Sequence, residues 1–435
     1  MRIVIAATPA SGHVNPVAAI GRILVSDGHE VAALSGNTFR PRFEGIGASF
    51  RPLPAGANPD FQDIASFVPE LRSLPDGTPR LVRSRIVLGR LFIDTIPLQH
   101  QALQQILRDA PVDAVIADNA FLGVLPMLLG ARAQRPPVIL CGTSILHWER
   151  ADGAPNFAGL APATTDAERR EYAAIAQVRD VALEQLNIHR ANAHLAAMGV
   201  RPLPRNLFES AIELADAHLQ PTVPGFEFPR ALPSSVRFIG ALPIIPNQAP
   251  RPSWAGELEG KRKVILVSQG TVANHDLGLL VAPTLAALAD EPDLLVVATT
   301  GGRPVEAIPG PVPANARLAR YLPFEWLLPK VDAFVTNAGY GGVNQALSFG
   351  IPLVAAGLSE DKADVSVRVA WSGVGINLAT ETPTPVALRS AVRTVLDTPD
   401  FCLHASRMAD AFAAIDTRAE ILRVVNQVRE KQAYT

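Results

Sequence analysis

Short apolar runs alternate with amphipathic stretches along nearly the whole chain. Residues 2–7 (RIVIAA) form a compact apolar run of the kind buried on both faces of a sheet. Residues 8–16 (TPASGHVNP) read as a loop, 17–26 as a helix ended near Gly28, and 30–35 as the next strand. A helix over 39–45 and a strand over 48–53 continue the alternation. Strand, helix and strand in this order predict a parallel sheet with helices on its faces. Further on, 91–107 and 122–133 read as helices, and 112–117 and 137–141 as strands. Asp166 is expected to cap a long helix reaching about residue 198, and 213–220 and 236–240 read as short strands. Two stretches break the rhythm: 54–85, rich in Pro, Gly and Phe, and 144–165, which carries His147, Trp148 and Phe157. Long irregular segments in a compact domain tend to be functional loops.

A proline-rich stretch without period over 243–260 reads as a linker, after which the β-α rhythm restarts. Strands are expected over 264–269, 294–299, 317–321, 333–335 and 353–356, and helices over 277–289, 363–372 and 385–396. A final amphipathic helix over 417–431 carries Ala419, Ile421, Leu422, Val425 and Val428. The chain therefore divides into a first α/β domain (1–242), a linker (243–262), a second α/β domain (263–415) and a C-terminal helix (416–435). The most informative stretch is 320–362. A short strand over 331–336 meets a glycine-rich turn, Asn337-Ala-Gly-Tyr-Gly-Gly342, and then one or two helical turns stopped by Gly350 and Pro352. Glycines there let backbone approach a ligand closely, and free N–H groups at a helix start favour an anion. A tight β–α turn with no ligand is the alternative.

Composition narrows the function. The chain has 435 residues, 48% hydrophobic and 18% charged, with a formal net charge of −2, so a large core forms and no basic stripe invites nucleic acid or an anionic membrane. The two cysteines, Cys141 and Cys402, read as reduced packing residues, and no Cys/His cluster has metal-ligand spacing. No run of about eighteen apolar residues occurs, and the opening apolar run is too short for a signal peptide. These features predict a soluble cytoplasmic protein; a monomer or a homodimer is expected, and the sequence does not choose between them.

Four motifs in order carry a resemblance: Gly12-His13-Val14-Asn15-Pro16 after the first strand, Ala117-Asp118 at a later strand end, Val267-Ser-Gln-Gly-Thr271, and the segment from Tyr321 to Lys362. Together they resemble the nucleotide-sugar-dependent glycosyltransferases of the plant secondary-product and bacterial macrolide type. That family has the GT-B fold: two Rossmann-like doubly wound α/β domains face each other across a cleft, and the C-terminal helix returns to the first domain. The resemblance spans the chain and implies an inverting, metal-independent hexosyltransferase without a cofactor. It would use UDP-glucose, or another UDP- or dTDP-sugar, as co-substrate, and a small lipophilic acceptor such as a polyphenol, macrolide or steroid.

The resemblance also implies residue roles. His13 is the general base, a task for which an imidazole titrating near neutrality is suited, and Asp118 orients it. Read from the residues alone, His13 could instead be a packing residue and Asp118 a helix cap. Donor binding falls to Gly12, Ser268, Gly270, Thr271, Tyr321, Leu322, Asn337, Gly339, Tyr340, Gly341, Gly342, Gln345, Asp361 and Lys362. Tyr321 would stack on the base, Gly341 and Gly342 would offer N–H groups to the diphosphate, and Asp361 would hold sugar hydroxyls. Three positions depart from the family: Asn337 stands for its usual phosphate-binding His, Gln345 for its ribose-binding Glu, and Lys362 for a final Gln. The acceptor pocket is read from Phe61, Phe67, Phe121, Ile145, Trp148 and Phe157, for which ordinary core packing is the competing reading.

Two other readings remain. A lipid-linked or cell-wall sugar transferase of the same fold would carry a basic-apolar docking patch, which the first half lacks. A nucleotide-sugar binding protein that has lost catalysis would fit the three departures but not the retained His13 and Asp118. A nicotinamide dehydrogenase is disfavoured, because no G-x-G-x-x-G follows the first strand.

Overall fold

The computed structural model describes residues 1–61, 63–245, 249–271 and 273–433. Seven strands form the first sheet: β1 (Arg2–Ala6), β2 (Glu30–Ser35), β3 (Ser49–Pro52), β4 (Ala114–Asp118), β5 (Val138–Cys141), β6 (Ala217–Gln220) and β7 (Val236–Phe238). Their order is β3-β2-β1-β4-β5-β6-β7, with every pair parallel. Six form the second: β8 (Lys263–Ser268), β9 (Leu294–Thr299), β10 (Ala316–Ala319), β11 (Ala333–Thr336), β12 (Leu353–Ala355) and β13 (Gly375–Asn377). Their order is β10-β9-β8-β11-β12-β13, again all parallel. Strand order reverses beside β1 in the first sheet and beside β8 in the second. Open α/β sheets bind ligands outside the carboxyl ends of strands at such reversals.

Alternation along β1 explains the layering. Val4 and Ala6 face a core with Ile96, Leu103 and Phe121, while Ile3 and Ile5 face Val17, Ile20 and Leu24 on the opposite side. The C-terminal helix Thr417–Ala433 packs on that second face through Ile421, Val424, Val425 and Val428. It crosses back from the second half of the chain, with Arg418 bonded to Asp27 at 2.8 Å. Among the described residues no helix is long and apolar enough to cross a membrane.

The halves also meet through buried polar groups. Glu227, after β6, takes hydrogen bonds from Arg368 at 2.9 and 3.1 Å and from Arg230 at 2.9 Å. Thr222 donates to Asn344 at 2.5 Å, and Gln220 donates to the Tyr340 hydroxyl at 2.6 Å.

Several expected boundaries are corrected. The helix after β1 runs Ser11–Ser26, so His13 sits in its first turn rather than on a loop. Pro16 continues it because ring closure only removes one N–H near the helix start. The irregular stretch 54–85 ends in a helix, Arg80–Leu88. The long helix expected from Asp166 is capped by Thr165, whose hydroxyl takes the Glu168 N–H while Glu168 reaches back, a capping box. It is broken by a π-turn, Asp180–Glu184, before Gln185–Ala197. Part of the strand expected over 213–220 is helix Leu207–Leu214, started by Asn206 accepting from Glu209 N–H. Helix Pro399–Ala413 and strand β13 were not expected. The expected linker 243–262 includes 246–248, and the C-terminal helix 434–435, which lie outside the described residues.

Candidate active site

A cleft of about 1520 Å³ lies between the carboxyl ends of the two sheets. On the first-sheet side β1 ends at Ala6, with His13 in the first turn of the helix that follows, and β4, its neighbour, ends at Asp118. The switch point thus brings together residues more than a hundred positions apart. His13 Nδ1 donates to Asp118 Oδ1 at 2.8 Å, with the Thr143 hydroxyl 3.1 Å from the same nitrogen. Thr143 in turn donates to Asn119 Oδ1 at 2.9 Å. Asp118 is fully buried and also accepts the N–H groups of Thr8 and Ala120 at 2.5 and 2.8 Å, while the short helix Leu122–Val124 starts from Phe121 with no side-chain cap. With Nδ1 held, Nε2 is the ring nitrogen left for a ligand, and His13 lines the cleft.

Electrostatics favours the same role. Burial opposes the imidazolium, but the charge and hydrogen bond of Asp118, and then the charges of Asp361 and Glu360, outweigh it and raise the His13 pKa above its ordinary value. A base must be neutral to take a proton, so kcat/KM should fall as pH drops through a point above 6.5. Asp118→Asn leaves burial in place and removes the leading opposing charge, so that limb should move to lower pH. Rate–pH profiles of the two proteins check this.

The first-sheet wall is mainly apolar. Phe61, Leu88, Phe92, Phe157, Ile175 and Phe208 line it. Phe61 meets Phe92 edge-on at 5.9 Å, and the His147 ring stacks between Phe157 at 4.7 Å and Phe208 at 4.5 Å. Burial, helped by His218 and Arg368, pushes the His147 pKa down to about 3, so it is a neutral part of this wall. Phe157 holds φ 62°, a left-handed backbone that costs a non-glycine residue energy and is kept here beside the stack.

Four acceptor expectations are corrected. Phe121 is fully buried in the core beside β1 and β4, and Ile145 is buried in the core shared with the second half. Trp148 packs on Leu146, Ile212 and Val236. Phe67 lies outside the cleft lining as well; only Phe61 and Phe157 of the six expected residues reach it. Neither Phe92, Phe208, Ile175 nor Thr143 was anticipated.

On the second-sheet side all the expected donor residues line the cleft, and so does Gly12 opposite them. The glycine-rich turn leads into helix Tyr340–Ser348 with Gly339 as its first flanking residue. A side-chain carbon at Gly341 would meet nothing within 4 Å, so open space lies in front of this helix start. Ala338 takes φ 63° to make the turn. The Asn337 amide donates to the Gln269 carbonyl at 2.6 Å, and Ser268 Oγ accepts the Gly270 N–H at 3.2 Å. Gln345 lines the cleft beyond them. Tyr321 donates to the Gly301 carbonyl at 3.2 Å, and with 50% exposure its ring face is open for stacking. Gly302, at φ 102°, makes room for it, since a Cβ there would stand 2.2 Å from the tyrosine oxygen. Tyr340 differs from expectation in one respect: its hydroxyl is engaged by Gln220 and ties the halves together. Asp361 is pushed up to about 6 by burial, with Lys362 opposing and Glu360 adding to the shift. Lys362 is buried and paired with Glu360. Among the described residues no group of three or more His, Cys, Asp or Glu could hold a metal ion.

Residues 284–428 match the family model described as "Erythromycin biosynthesis protein CIII-like, C-terminal domain". The chain is 38% identical over 432 residues to 4'-demethylrebeccamycin synthase of Lentzea aerocolonigenes, covering 98% of each protein. It is 35% identical to UDP-glycosyltransferase 2 of Phaeomoniella chlamydospora, covering 98% of this chain and 95% of that one. The fold matches the crystal structure of a calicheamicin glycosyltransferase with a TM-score of 0.70 at 21% identity, over 99% of this chain and 97% of that one. The four motifs, the two facing parallel sheets and full-length identity of this order lead to one conclusion: the chain belongs to the GT-B family of nucleotide-sugar-dependent glycosyltransferases of the secondary-product and macrolide type, and is a glycosyltransferase.

Proposed function

We propose that the enzyme transfers a hexose, glucose first among the candidates, from a UDP-sugar to a hydroxyl of a small lipophilic acceptor, with inversion at the anomeric carbon. The observation that carries this reading is the His13–Asp118 pair, set at 2.8 Å at the switch point between an apolar wall and a wall of hydrogen-bond donors. The acceptor lies against Phe61, Phe92, Phe157 and Phe208, and its hydroxyl proton goes to His13 Nε2. The freed oxygen attacks the anomeric carbon from the face opposite the diphosphate, so an α-linked donor gives a β-glycoside. Asp118 stabilises the imidazolium that forms, and no proton needs to move onto the carboxylate. On the other wall the base stacks on Tyr321 beside the Leu322 backbone, and Gln345 bonds the ribose. The N–H groups at the start of helix Tyr340–Ser348, with Ser268 and Thr271, receive the departing diphosphate. Asp361 holds sugar hydroxyls.

The name of the Phaeomoniella chlamydospora relative supports UDP over dTDP, the other nucleotide this wall would accept. A melting scan with UDP, dTDP, GDP, ADP and NAD separates them: a ligand at a hundred times its dissociation constant adds about 2.7 kcal/mol of stability. UDP should stabilise most; a shift with ADP or NAD alone would overturn the reading. No metal has a role in this scheme, so EDTA should leave turnover unchanged in a coupled assay of UDP release.

A further inference from the structure

The wall that receives the diphosphate is poor in positive charge. Among the described residues lining the cleft from the second-sheet side, Lys362 is the only lysine or arginine, and no histidine joins it. The remaining donors there are neutral: backbone N–H groups, hydroxyls and carboxamides. Yet negative charge develops on the diphosphate as its bond to the sugar breaks, and a nearby cation stabilises that charge far better in a dry cleft than in water.

Lys362 is placed for this. It is 5% exposed, at the first residue of helix Lys362–Trp371, and its stem lies against the turn that opens the glycine-rich helix. A Cβ added at Gly357 would stand 2.3 Å from the Asn337 carbonyl and 3.2 Å from Lys362 Cβ, so Asn337 and Lys362 flank the same glycine. A buried ammonium needs a partner. Its partner is Glu360, which is itself exposed and holds φ 55°, a left-handed conformation that a glutamate adopts at a cost. With Asp361 beside them, one cation stands against two carboxylates in front of the space a polyanion enters.

We propose that Lys362 binds an anionic oxygen of the sugar nucleotide, and that Glu360 is a resident carboxylate the ligand displaces. This deepens the sugar-nucleotide reading of the cleft and rests on it. Two sources of that oxygen are chemically equivalent, the diphosphate itself and a carboxylate on the sugar.

Calorimetric titration of UDP, UDP-glucose and UDP-glucuronate distinguishes them. Lys362→Gln should weaken binding on the order of tenfold or more, the loss of a charge-assisted contact. An equal loss for all three ligands assigns Lys362 to the diphosphate; a loss confined to UDP-glucuronate assigns it to a sugar carboxylate. Lys362→Arg keeps the charge and should stay near wild-type affinity. Glu360→Gln removes the competitor and should tighten binding several-fold, an outcome that a purely structural ion pair would not give. Unchanged affinity of Lys362→Gln for all three ligands, with its circular dichroism intact, would overturn the proposal. So would weaker binding by Glu360→Gln. If wild-type protein binds none of the three, the sugar-nucleotide reading itself fails and the proposal falls with it, a result visible before any variant is made.

Discussion

His13→Ala should lower turnover by about 10²- to 10⁴-fold, the usual contribution of a positioned general base, while nucleotide affinity and the melting temperature stay close to wild type. The reason is geometric. His13 is held through Nδ1 by Asp118 and Thr143, which leaves Nε2 free for the acceptor hydroxyl, while the proposed nucleotide contacts come from other residues of the cleft. Its side chain is 22% exposed, so its removal leaves a small gap open to solvent and not a sealed cavity. Asp118→Ala is a different experiment. It would leave the N–H groups of Thr8 and Ala120 without their buried acceptor, and should cost stability as well as rate. Steady-state kinetics beside a melting scan separates the two variants. Wild-type turnover by His13→Ala would remove the histidine from the reaction.

The second large effect is on stability. Glu227→Leu should destabilise the protein by about 3–5 kcal/mol, the range for breaking a buried ion pair by removing one partner. Glu227 is 4% exposed and holds Arg368 and Arg230 while also accepting the Leu146 N–H at 3.0 Å. Removing it strands two guanidinium groups in the contact between the halves. Both are held against aromatic or carbonyl neighbours, Arg368 over the Phe228 ring at 4.1 Å and Arg230 on the Trp148 carbonyl at 2.8 Å, so neither can swing out to water without breaking further contacts. Glu227→Gln retains an acceptor and should cost less. Urea unfolding of the three proteins measures the order, and a loss below 1 kcal/mol for Glu227→Leu would show that the contact between the halves relaxes readily.

Much of this organisation is legible in the sequence because parallel strands buried on both faces leave unbroken apolar runs, and β1, β8 and β9 fall close to where those runs lie. The proposed donor residues are legible for a related reason. A diphosphate is met by backbone, backbone approach requires glycine, and glycines at 339, 341 and 342 are visible in one dimension. The His13–Asp118 contact is less direct: a residue in the first turn of the helix after β1 meets the last residue of β4 only when β1 pairs with β4, and the family resemblance supplies that pairing.

The acceptor wall was poorly legible. An aromatic residue in a loop reads the same whether it faces a cleft or a core. Phe121 and Trp148 turn inward because the segments after β4 and β5 pass directly over the sheet's own core. Phe208 falls in a stretch before residue 213 given no element, although Asn206 three residues before Glu209 is a helix-start signal that exposes it. Helix Arg80–Leu88 was lost among prolines and glycines, and the π-turn Asp180–Glu184 has no sequence signature. Lining residues from those elements depend on register, which composition does not record.

A single displacement driven by His13 leaves its mark on the anomeric configuration of the product. UDP-glucose, whose glucose is α-linked, would be turned over with a panel of polyphenols, macrolides and steroids, and the glycoside formed examined by proton NMR. A β-glycoside is the expected product, since the acceptor oxygen reaches the anomeric carbon from the His13 wall while the diphosphate departs toward the opposite one. An α-glycoside would contradict that account.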